Sequence, residues 1–134
     1  MLYMLDTSTA SYIIKGQGAA VRRRLVRVPM EELAISTVTE GELRFGVARH
    51  PDATRLQGIV EEFLLHVNIL SWDSDAAKQY GTLRAVLERD CQPMGNLDTM
   101  IGAHALALGA VLVTSDAAFR RIKKLKVEDW MKAL

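Results

Sequence analysis

One cysteine, three histidines and three prolines are spread over 134 residues. A lone thiol, Cys91, cannot staple the chain to itself, so packing must hold the fold, as in a reducing cytoplasm. With His50, His66 and His104 scattered along the chain, the Cys/His spacing of a zinc site is missing as well. Long apolar runs are also absent. The longest, Ala105–Val113, falls well short of the roughly 20 residues that a spanning helix needs. Met1–Asp6 shows no basic region ahead of an apolar stretch, so no signal peptide is expected. Charge of one sign does not dominate either: 17 Lys and Arg stand against 16 Asp and Glu, a net charge of +1. The strongly basic signature of many nucleic-acid binders is therefore lacking. A cluster of carboxylates would, however, mask basic surface elsewhere in such a total. No internal repeat or low-complexity segment is visible.

What is present suits a globular protein. Hydrophobic residues make up 49% and charged residues 25%, ordinary values for a soluble fold. The length predicts one domain, residues 1–134, with room for a core. Short apolar runs at Leu2–Leu5, Leu33–Ser36, Val67–Leu70 and Ala110–Thr114 predict buried strands, and Val127 a last one. Helices are expected from Asp6 to about Lys15, over Val21–Val28, after a cap at Thr37 or Thr39, over Asp52–Leu65 and over Asp73–Arg89. Another is expected from an Asn96 cap to Leu108, with Gly109 as its stop, and a short one from about Asp116. In Asp52–Leu65, Leu56, Ile59, Val60, Phe63 and Leu64 share one face. Strands that are continuous apolar runs, alternating with helices, predict an α/β fold. Its central parallel sheet has four to five short strands flanked by helices. Ligands of such folds bind beyond the carboxyl ends of the strands.

Four acids fall near that edge. Asp6 follows the first strand and Asp116 follows Val111–Thr114. Glu42 lies early in the helix after the second strand, and Asp98 in the first turn of its helix. Each also has a purely structural use: Asp6 and Asp116 as helix caps, Asp98 as a partner of the helix dipole, Glu42 as a solvated surface residue. Gathered together, they would repel one another and raise their affinity for protons. A divalent cation removes that conflict, and all-oxygen ligation suits Mg²⁺ or Mn²⁺.

Four stretches carry a resemblance. Met4-Leu5-Asp6-Thr7-Ser8, Ile35–Gly46, Pro93–Ile101 and Leu112–Phe119 resemble, in order and spacing, a PIN-domain ribonuclease. The closing Val127-Glu128-Asp129-Trp130 is similar to the family's ending. Within the family the chain looks like the VapC-type toxins of bacterial type II toxin–antitoxin pairs. The resemblance implies a PIN-like fold with metal-binding and catalytic acids at Asp6, Glu42, Asp98 and Asp116. Thr114 would be the hydroxyl that orients a carboxylate or water. The Glu-Leu-x-x-Gly spacing selects Glu42 over Glu40. It further implies an Mg²⁺- or Mn²⁺-dependent endoribonuclease that leaves a 5′-phosphate and a 3′-hydroxyl. The implied partners are RNA, a cognate VapB-type antitoxin and a second copy of the chain, with DNA met only through the antitoxin. A cytoplasmic location follows, with no membrane partner. Two departures are visible: Ser8 stands where relatives often have Asn, and Cys91 where they often have Gly.

Other residues are candidates for function as well. Arg22-Arg23-Arg24 reads as a solvated face or a phosphate-contacting strip. Arg44 and Arg84 are candidates for backbone contacts, His104 reads as a core histidine, and Trp72 and Trp130 as core anchors. Two competing readings stay open. A receiver-like signalling domain would need a phosphoacceptor Asp ending a middle strand, where Ser36 and Leu70 stand instead. A catalytically silent PIN-like binding module would not need all four acids.

Overall fold

The computed structural model describes residues 1–132. Five strands, β1 (Tyr3–Leu5), β2 (Leu33–Ser36), β3 (Asn68–Leu70), β4 (Val111–Val113) and β5 (Lys126–Glu128), form one sheet. Their order is β3-β2-β1-β4-β5, and every neighbouring pair is parallel. Parallel neighbours require crossover connections. Helices α1 (Thr7–Ile14) and α2 (Ala19–Leu25) connect β1 to β2. Helices α3 (Thr37–Ala48) and α4 (Thr54–His66) lead to β3, and α5 (Ser74–Arg89) and α6 (Asn96–Leu108) lead to β4. The expected α/β architecture is thus observed, with short 3-10 turns at Met30–Glu32 and Ala117–Arg121.

Side chains alternate between the two faces of a strand, and the core divides accordingly. Leu5, Ile35 and Val113 pack with Ala10, Leu43, Val60, Leu64 and Trp130 on the side of α1 to α4. Met4 and Leu112 pack with Leu83, Leu87, Ile101, Phe119 and Ile122 on the side of α5 and α6. Both faces being covered, β2 and β4 are buried throughout. That is why they appear in the sequence as unbroken apolar runs.

Polar residues at strand ends start the helices. Asp6 accepts from the Thr9 N–H and caps α1; Asp73 accepts from the Ala76 N–H and caps α5. Two cap expectations need correction. Ser36, not Thr37 or Thr39, caps α3 by accepting from the Val38 N–H at 3.1 Å. Ser36 is the last extended residue, whereas Thr37 is already helical. Helix α6 has Gly95 at its cap position without a side-chain bond, and Asn96 lies inside the helix. Three helices end in left-handed residues, α1 at Gly16 (φ +67°), where the Gln17 N–H donates to the Tyr12 carbonyl. Gly109, at φ +62°, closes α6 while the Ala110 N–H donates to the Ala105 carbonyl. Cys91 takes the same role after α5 at φ +55°, and the Gln92 N–H donates to the Leu87 carbonyl.

The strand order locates the ligand edge. From β1 the chain builds outward to β2 and β3, then returns to the other side of β1 with β4. The topological switch point therefore lies between β1 and β4, where a crevice opens beyond the carboxyl ends. Asp6 follows β1 and Thr114 follows β4.

Candidate active site

Asp6 is buried, with 4% of its surface exposed. Its Oδ1 accepts from the Thr9 N–H at 2.8 Å, and its Oδ2 accepts from the Thr114 hydroxyl at 2.5 Å. The Asp6 N–H donates to the Val113 carbonyl and continues the β1–β4 ladder. The carboxylate is thus fixed in rotation from both strands. Thr114 is also buried, and its oxygen accepts from the Asp116 N–H at 3.0 Å. One hydroxyl therefore connects the Asp6 side chain to the Asp116 backbone. Asp116 itself is exposed, and its Oδ1 caps the Ala117–Arg121 turn through the Ala118 N–H.

Glu42 is half-buried on α3. Its Oε1 accepts from the Thr7 hydroxyl at 2.6 Å, which ties α3 to the first turn of α1. Thr7 also lies 3.3 Å from the Thr39 hydroxyl. Asp98 is half-buried in the first turn of α6. Burial pushes its pKa up, and the negative charges of Asp116, Asp6 and Glu42 push it further. The three acids that act on Asp98 are the other three singled out in the sequence. Four acids from four stretches of chain therefore share one electrostatic field.

The acids do not form a closed cage. Among the described residues, no three His, Cys, Asp or Glu side chains stand close enough to enclose an ion. Glu42 Oε2, Asp116 Oδ2 and both Asp98 oxygens accept no hydrogen bond from the described residues. Unfilled carboxylate oxygens in a mutually repelling field suit a hard cation that keeps several waters, as Mg²⁺ does.

Other sequence candidates are engaged elsewhere. Arg44 is held by Glu40 and Glu61, and those two hydrogen bonds raise its pKa. Arg84 is held by Tyr80 and Glu88. Arg22 donates to the Gly16 carbonyl and Arg24 pairs with Glu128, so the basic run on α2 is partly consumed within the fold. His104 is a core residue, its Nδ1 lying 2.8 Å from the Ser36 hydroxyl beneath the site. Trp130 is buried, and Trp72 donates its indole N–H to the Met100 carbonyl. At the level of sequence, Thr7 and Thr9 are only possible caps of a helix start; their bonds to Glu42 and to the Val113 carbonyl come from the fold. Their signal lay in the Asp-Thr-x-Thr run, where hydroxyls at a helix start face neighbouring strands and helices.

The fold and site together define a parallel α/β protein with four acids sharing one field near its switch point. A family model described as PIN domain matches residues 3–125. The tRNA(fMet)-specific endonuclease VapC of Shigella flexneri is 35% identical over 129 residues, covering 96% of this chain and 97% of that protein. Among solved structures, the DNA-bound VapBC of Salmonella typhimurium matches with a TM-score of 0.90 and 36% identity. It covers 97% of this chain and 99% of that one. VapBC2 of Rickettsia felis, bound to a DNA fragment from its promoter, matches with a TM-score of 0.88 and 32% identity. There the coverage is 96% and 98%. The chain belongs to the PIN-domain family.

Proposed function

We propose that the chain is an endoribonuclease toxin of the VapC type, dependent on Mg²⁺ or Mn²⁺ and neutralised by a VapB-type antitoxin. One observation carries the reading: Asp98 lies in the combined field of Asp6, Glu42 and Asp116 at the β1–β4 switch point. The VapC relatives, named as ribonucleases and crystallised as VapBC complexes, support the same reading.

Asp6 and Asp98 would hold the principal ion, with Glu42 bound directly or through water and Asp116 completing the set. When bound, a divalent ion supplies a water of lowered pKa and stabilises charge on a phosphodiester. The chain's own groups prepare the donors. The Thr9 N–H and the Thr114 hydroxyl hold both Asp6 oxygens in place. Thr7 aims Glu42, and Thr114 ties Asp116 to Asp6. Such outer partners set the orientation of the ligating groups. The implied products carry a 5′-phosphate and a 3′-hydroxyl. Among the described residues no helix is long and apolar enough to cross a membrane, and the proposed place of action is the cytoplasm. A homodimer, and DNA met only through the antitoxin, complete the proposed assembly.

The test is cleavage of total RNA by protein freed of antitoxin, with Mn²⁺ or with EDTA. Wild type should cut only with the metal, and Asp6→Asn should not cut. Intact RNA with wild type would overturn the proposal and favour the silent binding module, and equal cutting by Asp6→Asn would overturn the assigned site.

A further inference from the structure

Between Asp116 and Glu128 the chain carries five cations, Arg120, Arg121, Lys123, Lys124 and Lys126, and no acid. All five are exposed. Among the described residues none of them forms an ion pair, whereas Arg24, Arg44, Arg84 and Arg89 all do. Lys15, Arg22, Arg23 and Arg27 are unpaired among the described residues as well, but in residues 120–126 no cation is paired, five of them falling within seven residues.

The cations are also continuous in space. Arg121, Lys123 and Lys124 border a cleft of about 220 Å³. Lys124 and Lys126 border the next, of about 140 Å³. Asp90 is the one acid at either cleft, and it lies 3.7 Å from Arg89. The strip begins at the turn capped by Asp116, where Arg121 donates to the Pro93 carbonyl in the loop before Asp98. It ends at Lys126, the first residue of β5 and hence at the opposite edge of the sheet. A cationic track therefore leads away from the carboxylate edge along one side of the molecule.

Resting on the nuclease reading above, we propose that residues 120–126 bind the sugar–phosphate backbone of the RNA substrate. A polyanion approaching four carboxylates is repelled, and a positive track beside them offsets that repulsion. The strip offers no exposed aromatic ring, since Phe119 is buried. It lacks the platform on which bases stack. Its contacts are therefore to phosphates, which position a strand without reading its sequence.

The experiment uses the full chain, free of antitoxin, in the Asp98→Asn background, with fluorescently labelled single-stranded RNA. Lys123→Glu/Lys124→Glu is compared with Arg23→Glu/Arg27→Glu, which makes the same charge change at exposed residues on and just after α2. The first pair should weaken binding at least about tenfold at 50 mM salt. It should also lower the slope of log affinity against log salt by about 1.4, or about 0.7 per lost phosphate contact on a single strand. The second pair should do much less. In the cleavage-competent chain the first pair should raise KM, leave kcat unchanged, and cut at the same positions. Equal weakening by both pairs would reduce the effect to bulk charge and overturn the inference. So would unchanged RNA binding with lost antitoxin neutralisation, which would make the strip a protein-docking surface. Either result leaves the nuclease reading standing if wild type still cuts. Wild type that does not cut with Mn²⁺ fails the nuclease reading itself.

Discussion

The Thr114 hydroxyl donates to Asp6 Oδ2 across 2.5 Å, joining the ends of two neighbouring strands that are 108 residues apart in the chain. The same oxygen accepts from the Asp116 N–H. Replacing it removes a donor to a buried carboxylate and an acceptor for a backbone amide at once. Thr114→Val should lower RNA cleavage about 10- to 100-fold, the usual cost of losing a group that orients a metal ligand. It should also destabilise the fold by about 1–3 kcal/mol. Thr114→Ser should restore most of both. Cleavage assays and urea unfolding of the two variants check this, and an inactive Thr114→Ser would point to the methyl group instead.

Asp98 carries a different signature. Its folded pKa is raised by burial and then by Asp116, Asp6 and Glu42. An acid whose pKa rises on folding disfavours the fold while charged, so the metal-free protein should gain stability as pH falls through the Asp98 range. Asp98→Asn should therefore melt higher than wild type in EDTA at neutral pH. It should lose more than about 100-fold in cleavage, since a direct ligand matters at least as much as its outer partners. Mn²⁺ should raise the melting temperature of wild type and leave the variant nearly unmoved. A variant that melts lower in EDTA would contradict the assigned repulsion.

His104 predicts a pH effect of the opposite sign. Burial lowers its pKa, outweighing the field of Asp73 and the hydrogen bond with the Ser71 backbone, which both raise it. The unfolded chain thus takes up a proton that the folded chain refuses. Stability associated with this residue is whole above the unfolded value near 6.5. It is lost progressively as pH falls from there toward the lowered folded value. The loss corresponds to uptake of at most one proton on unfolding. His104→Gln, whose amide can still bond Ser36, should flatten the stability profile between about pH 7 and 5. Unfolding curves across that range decide it; parallel profiles would assign the acid sensitivity elsewhere.

Cys91 occupies a left-handed position, φ +55°, at the end of α5. Such a conformation costs a non-glycine residue about 1–2 kcal/mol, part of which is recovered through the stiffer unfolded chain. Cys91→Gly should stabilise the protein by about 0.5–1 kcal/mol without changing cleavage. A rise in the urea midpoint at constant slope is the expected reading, and a fall would show the thiol to be packed usefully.

Much of the fold was legible in the sequence because its signals are local. The buried strands appear as unbroken apolar runs, and Asp6 and Asp73 mark helix starts. Gly109 marks a helix end, adopting a conformation that favours glycine. The left-handed residue at Cys91 was legible only as a departure from the glycine of similar chains. The α3 cap lies one residue before Thr37 and three before Thr39, since Ser36 and both threonines are capping types that only backbone geometry separates; the α6 cap lies one residue before Asn96.

The amino-acid sequence by itself determined which residue types sit where strands give way to helices, and so nominated Asp6, Glu42, Asp98 and Asp116. It did so because apolar periodicity and capping chemistry act over a few residues. Tertiary structure alone decided that β4 returns to the side of β1, which brings Thr114 onto Asp6 and the four acids into one field. It also decided that Arg44 on α3 reaches Glu61 on α4, beyond its local partner Glu40. Those outcomes depend on which distant segments meet, and no local pattern of residues carries that information.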